Sequence, residues 1–263
     1  MGVNQPLAPA VNRAVEILDL VAAEPRQLGV SAIARRLGLP KSSVANVCGA
    51  LIETGMLRSH PEGYGLGQHL ARLGAAYLAG IDHVQLFKES CASLDIAASD
   101  TVQLAMLTDA LDVVYLARHE GVNPVRLAST IGRPLPATCT ATGKAILAQL
   151  DPSEIDARLG PGPLPSLTRH SITTRRGLHE ALDRVRSTGR AVDREEVIEG
   201  VVCVAVAIPD PDSSGDRMAI SATLLAPRAT EELLDEIAAE LQVVAHLISV
   251  GLGHSTHTER WTG

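Results

Sequence analysis

A chain of 263 residues, 46% of them hydrophobic, has room for one large domain or two modest ones and can bury a sizeable core. Aromatics make up only 2%, so Leu, Ile, Val and Ala must fill that core. No apolar run reaches the ~18 residues of a membrane helix, and the start MGVNQPLAP lacks a charged-then-apolar signal pattern. The expectation is a cytoplasmic protein with no membrane partner.

The formal net charge of -7 is uneven, with +2 over residues 1–80 and -9 over residues 81–263. An acidic total argues against nucleic acid when it is spread evenly. Here the acidity lies in the later part, and a mildly basic beginning is left free for a different task. Cys48, Cys91, Cys139 and Cys203 lie far apart without a CxxC pair. They read as small buried hydrophobes, not as a zinc site or a disulfide framework.

Ala14, Ile17, Leu18 and Val21 fall at i, i+3, i+4 and i+7, one face of a helix that ends near Pro25. Ser31 is placed to cap a second helix with Ile33, Ala34 and Leu37 inward, and Gly38 ends it. Pro40 and Lys41 open a third helix, whose core face is Val44, Val47, Cys48 and Leu51 and which Gly55 stops. Two helices joined by a short glycine-containing turn form a helix-turn-helix pattern. Met56 to Arg58, a turn through Gly63, and Tyr64 to Leu66 then read as a small hairpin, which makes the whole a winged helix-turn-helix.

The outer face of the third helix presents Ser42, Asn46, Gly49 and Glu53, with Lys41 at its start. Ser42 and Ser43 can donate to phosphates beside the free amides of the helix start. Asn46 is suited to pair with an adenine edge in the major groove. Arg35, Arg36 and Arg58 complete the set of DNA-binding candidates, as phosphate contacts. A face this weakly basic needs several modest phosphate contacts and dimerisation to reach useful affinity.

At this point the chain resembles the IclR-type bacterial transcriptional regulators. The stretch LGLPKSSVANVCGALIETGMLR is similar to their recognition helix, and YGLG to the end of their wing. LPATCTATGKAIL (135–147) and GRAVDREEVIEGVVCVAVAI (189–208) resemble the two signature stretches of their effector domain. The resemblance runs from about Val11 to Gly251 in the family's order. It implies an α+β protein with an N-terminal winged helix-turn-helix domain (1–68), a linker helix (69–98) and a GAF/profilin-like effector-binding domain (99–252), followed by a disordered tail (253–263). It also implies a double-stranded DNA operator, a small organic effector and a homodimer or homotetramer. The chain departs from the family pattern at Ala45 and Asn46, where an arginine is frequent, and at Gly65, where a basic residue is common.

From Gln68 to about Ala98, Leu70, Leu73, Ala76, Tyr77, Val84, Phe87, Cys91 and Leu94 recur at helical spacing, with Gly80 as a break. The second half reads equally well as a linker or as a core helix of the next domain. Beyond it, Thr101–Thr108 and Val113–His119 read as paired strands, with Val125–Thr130 as a third. Helices are expected at Thr142–Gln149, Ser153–Leu159 and Arg175–Thr188. Strands follow at Val201–Ile208 and Arg217–Leu225, joined by the turn Pro209–Asp216, and a long amphipathic helix at Thr230–Val250. Antiparallel pairs with helices grouped between them point to an α+β sensor domain, not a doubly wound sheet.

The stretch Thr140 to Lys144 opens a helix whose free amides suit a carboxylate. By resemblance the effector pocket includes Ala141, Thr142, Asp193, Cys203, Ser221 and Thr223. Asp193 can accept from a hydroxyl or amide, so the two ends of the ligand should differ. Leu104, Met106, Leu116 and Ile131 are expected as apolar walls, while Glu195, Glu196 and Glu199 read as a solvated cluster. No catalytic residue, metal ligand or cofactor is expected, since no nucleophile–base pair and no HExxH-type spacing is present. The functional expectation is a ligand-responsive regulator, a repressor of a catabolic operon, sensing a small organic acid or an acyl or aromatic metabolite. A cysteine-dependent small-molecule hydrolase using Cys139 or Cys203 is the alternative, and a winged helix that only dimerises is a third reading.

Overall fold

The computed structural model describes residues 8–91, 99–122, 130–209 and 216–255. The chain divides into two compact units, Met1–Gly80 and Ile81–Gly263. The expected strand at 125–130, the turn at 209–216 and the tail at 253–263 lie wholly or largely outside the described residues, as do positions 92–98 of the expected linker.

In the first unit, helices α1 (Pro9–Ala23), α2 (Val30–Leu37) and α3 (Lys41–Glu53) precede strands β1 (Leu57–His60) and β2 (Gly63–Leu66). Ile17, Val21, Ile33, Val44, Cys48, Leu51 and Leu57 form the core, each within 8% exposure. The periodic residues of the sequence thus point inward, and full burial of each aliphatic side chain contributes roughly 1.5–3 kcal/mol. Gly38 takes the left-handed conformation (φ 64°) and donates its N–H to the Ala34 carbonyl, which turns the chain sharply into α3. Ser31 does not cap α2. The helix begins at Val30, two residues before the start that such a cap implies, with Gly29 at the cap, so Ser31 lies within the first turn. β1 and β2 pair antiparallel, and Tyr64 N–H donates to the Leu28 carbonyl (3.0 Å), which ties the hairpin to the α1–α2 connection. Helix α4 (Gln68–Ala79) buries none of its residues and exposes Leu73 and Tyr77.

In the second unit, α5 (Asp82–Cys91) buries Val84, Phe87 and Cys91. The stretch read as a linker is therefore two helices, and the second is a core element of this unit, where Phe87 is fully buried. A six-stranded antiparallel sheet follows, built from β3 (Thr101–Leu107), β4 (Asp112–Glu120), β5 (Pro134–Pro136), β6 (Ala191–Arg194), β7 (Val201–Ala207) and β8 (Met218–Leu225). Its spatial order is β5-β4-β3-β8-β7-β6. The long helix α9 (Glu231–Ser255) packs with α5 on one face. The other face carries α6 (Ala141–Leu147), α7 (Pro152–Leu159) and α8 (Arg175–Thr188), over a core that includes Ala105, Val113, Tyr115, Ile146, Leu178 and Ala205.

The first turn of α6 lies close against the segment that follows β5 because its third residue is a glycine. A Cβ built on Gly143 would overlap the backbone of Ala137. Gly143→Ala is therefore expected to destabilise the protein by about 1–3 kcal/mol, the cost of overpacking, read as a lower urea midpoint. An unchanged midpoint would show that this approach is not tight.

Candidate nucleic-acid interface and effector pocket

The face of α3 that turns away from the core is accessible. Lys41, Ser42 and Asn46 are exposed, and Ser43 is half-buried. Arg35 and Arg36 are exposed on α2, and Arg58 is exposed on β1. Arg36 forms an ion pair with Glu24, so a phosphate contact there must compete with that carboxylate. Ser43 Oγ accepts from the Arg13 guanidinium (3.2 Å). Arg13 on α1 was missed by sequence reasoning, because its helix gives no sign of reaching the start of α3. In the wing, Gly65 stands opposite Arg58, and the Arg58 and His60 side chains lie across its open face. A Cβ at 65 would meet both at ordinary contact distance, so Arg58 reaches the place where a basic residue at 65 would stand.

In the second unit, strand alternation decides what meets the concave face. Asp193, Cys203, Thr223 and Thr101 occupy one row across β6, β7, β8 and β3, and Ala191, Ala205, Ser221 and Gln103 the next. Asp193 and Cys203 line a small cavity of about 20 Å³ with Gln103, Tyr115, Val197 and Ile198. Thr142 and Thr223 stand behind it. The Thr142 and Tyr115 hydroxyls are 3.4 Å apart, as are Cys203 Sγ and the Thr223 hydroxyl. Ala141 and Ser221 are buried, at 2% exposure, but do not line this cavity. Thr101 Oγ1 is buried without a hydrogen-bond partner among the described residues.

The expected apolar walls need correction. Leu104 and Met106 alternate with Gln103 and Ala105 and so belong to the opposite face of β3. Leu116 falls at a β-bulge, where Tyr115 and Ala117 pair with successive residues of β3 and Leu116 with neither. Ile131 is exposed. The apolar walls are instead Leu135, Val197, Ile198 and Val201, with Gln103 and Tyr115 beside them. At the start of α6, Thr140 Oγ1 already accepts the Gly143 N–H (3.0 Å), so that amide is not free for an anion.

A turn between β6 and β7 closes over the cavity. Asp193 Oδ1 accepts from Glu196 N–H (2.6 Å), and the Glu195 carboxylate accepts from Gly200 N–H (2.7 Å). Ser171 and Thr168 hydroxyls donate to the carbonyls of Glu196 (2.8 Å) and Glu195 (2.6 Å). These bonds hold Glu195 at φ 62°, an unfavourable backbone for a residue with a side chain. The acidic trio is not the solvated cluster that its spacing suggested. Glu199 is exposed and pairs with Arg169. Glu196 is buried against Lys144, whose Nζ also donates to the Val192 carbonyl (2.7 Å). A cation on α6, 52 positions away in sequence, made that burial possible.

Burial pushes the Asp193 carboxyl up to about 7, against the pull of Lys144 and of the Glu196 N–H. It pushes the Cys203 thiol up to about 12, with Asp193 adding to the effect, and it raises Tyr115 and Cys139 as well. A thiol held that high stays protonated at neutral pH and is a poor nucleophile.

Two family models match the chain in register with this architecture. Residues 10–61 match the IclR helix-turn-helix domain, and residues 75–250 match the bacterial transcriptional regulator IclR C-terminal domain. The chain belongs to the IclR family of transcriptional regulators. IclR-family proteins are regulators and not enzymes, which removes the hydrolase alternative in agreement with the protonated Cys203. Among its IclR-type relatives, the HTH-type transcriptional regulator XynR of Escherichia coli is 32% identical over 95% of this chain and 99% of its own. The repressor BlcR of Agobacterium tumefaciens has a solved structure that is 32% identical, with a TM-score of 0.60, covering 95% of this chain and 99% of that one. An IclR-type regulator from Alicyclobacillus acidocaldarius is 26% identical with a TM-score of 0.80, covering 92% and 98%.

Proposed function

We propose that this regulator is a cytoplasmic, ligand-responsive repressor of a catabolic operon, binding a partly palindromic operator as a homodimer or homotetramer. Residues 1–68 read DNA, 69–98 connect, 99–252 bind the effector and 253–263 form a tail. The observation that carries the reading is the exposed polar face of α3 beside the basic ends of α2 and β1. Repression needs only occlusion of a promoter, and one relative at 32% identity is named a repressor. Val11 and Val15 on α1, with Leu73 and Tyr77 on α4, are exposed apolar residues suited to self-association.

In this reading Lys41, Ser42, Ser43, Arg35, Arg36 and Arg58 hold phosphates and Asn46 reads a base. The effector, a small organic acid or acyl compound, meets Asp193 and Cys203 with Ala141, Thr142, Ser221 and Thr223 around it, and Gln103 and Tyr115 added. A cavity of about 20 Å³ admits little more than a water, so the Val197–Ile198 turn must move to admit a larger molecule.

The test is a titration on the DNA upstream of its own gene, against an unrelated fragment of equal length, at two salt concentrations. Asn46→Ala should cost about 1–3 kcal/mol at a single base position and relax preference there. Arg58→Ala should weaken binding to all sequences alike and lower the salt slope by about one. An identical salt slope for Arg58→Ala and the wild type would remove Arg58 from the phosphate contacts.

A further inference from the structure

The second unit has a wider opening than the sheet pocket. A groove of about 550 Å³ lies on the open edge of β6, between that strand and α8. This is within the range of small-ligand sites. Its floor holds Ile172, Val185 and Val192, and its inner end holds the buried Lys144–Glu196 pair. The turn whose Glu196 N–H holds Asp193 in the sheet pocket thus carries the Glu196 side chain into this second opening.

The inner end is incompletely satisfied. Glu196 Oε1 accepts from Lys144, while Glu196 Oε2 is buried without a hydrogen-bond partner among the described residues. Lys144 has three N–H donors. Two are spent on Glu196 and the Val192 carbonyl, and no partner is seen for the third among the described residues. A free acceptor beside a free donor fits a hydroxyl, which can donate to one and accept from the other. A buried carboxylate oxygen is costly to leave unpaired.

The rim differs. Arg190 is held by Glu231 (2.9 Å) and Asp235 (2.5 Å), and Arg194 is paired with Glu231. The Arg184 guanidinium, exposed on α8, has no ion pair among the described residues, and it lines the same groove. An uncommitted guanidinium at the mouth favours a carboxylate.

We propose that this groove is a second small-molecule site, separate from the sheet pocket, and that it takes a small hydroxylated carboxylic acid. The hydroxyl bridges Lys144 and Glu196 Oε2, the carbon chain lies on Ile172, Val185 and Val192, and the carboxylate meets Arg184.

Calorimetric titration of the full chain tests this with glycerate, which carries both groups. Propionate has the acid without the hydroxyls, and glycerol has the hydroxyls without the acid. Glycerate is expected to bind, and each control at least about tenfold more weakly. Arg184→Glu, an exposed change that leaves the core intact, should abolish glycerate binding. Asp193→Ala, in the sheet pocket, should leave it unchanged. The proposal is overturned if propionate matches glycerate, if Arg184→Glu binds like the wild type, or if Asp193→Ala abolishes binding, which would place glycerate in the sheet pocket. Failure of glycerate and of the longer tartrate and gluconate to bind also overturns it.

Discussion

Lys144→Met is expected to destabilise the protein by about 3–5 kcal/mol, the range for breaking one side of a buried ion pair. The side chains of Lys144 and Glu196 are only 3% and 7% exposed. Methionine fills the aliphatic volume of lysine but leaves the Glu196 carboxylate in the interior without its cation. It also strips the Val192 carbonyl of its donor (2.7 Å), so edge strand β6 loses an anchor to α6. The double variant Lys144→Met/Glu196→Leu removes both charges, and apolar side chains of similar volume can replace a buried pair at little cost. It should therefore recover most of the lost stability. Urea unfolding of the three proteins gives the comparison and the coupling between the two sites. A single-variant cost below about 1 kcal/mol would be typical of an exposed pair and would contradict the burial described here.

What the sequence disclosed, and what it withheld, follows from the range of each signal. Helix α3 was readable because Val44, Cys48 and Leu51 repeat on one face and Gly55 ends the run, all within one element. The hairpins β3–β4 and β7–β8 were readable for the same reason. Strand β6 was not foreseen, since Ala191 to Arg194 is four residues long with an aspartate facing inward. The Glu196 N–H and Lys144 offset part of the cost of burying that aspartate, and both lie outside the strand. The facing of β3 failed for another reason. The sheet is covered on both sides, so Val102, Leu104 and Ala105 are all fully buried and period-two alternation is erased. The wall was then guessed from apolar residues, whereas the pocket side carries Thr101 and Gln103. The helix cap at Ser31 failed by two residues because Gly29 serves the same end without a side chain.

Asp193 carries the other large effect, because the same carboxyl sets a pH dependence and, in the proposed function, an effector response. Its folded-state value of about 7 lies well above the ordinary 3.8. Between these values the folded chain binds a proton that the unfolded chain has released, so stability falls as pH rises through that window. Ionising Asp193 in place therefore opposes folding by up to about 4 kcal/mol at pH 7 and above, and by nothing below pH 4. Asn has nearly the same shape, and its carbonyl oxygen can still accept the Glu196 N–H, but it does not titrate. Asp193→Asn should thus gain on the wild type as pH is raised from 4 to 7, with the difference level above about 8. Thermal unfolding midpoints across that range measure it, and a constant difference would mean that Asp193 is ionised throughout. The same variant separates stability from function. Its DNA affinity should equal that of the wild type, since Asp193 lies in the second unit and the side chains proposed to read DNA lie in the first. Its response to effector should be lost, because an amide replaces the carboxyl that meets the ligand's donor. A variant that folds, binds operator and still releases it on adding effector would move the pocket away from β6.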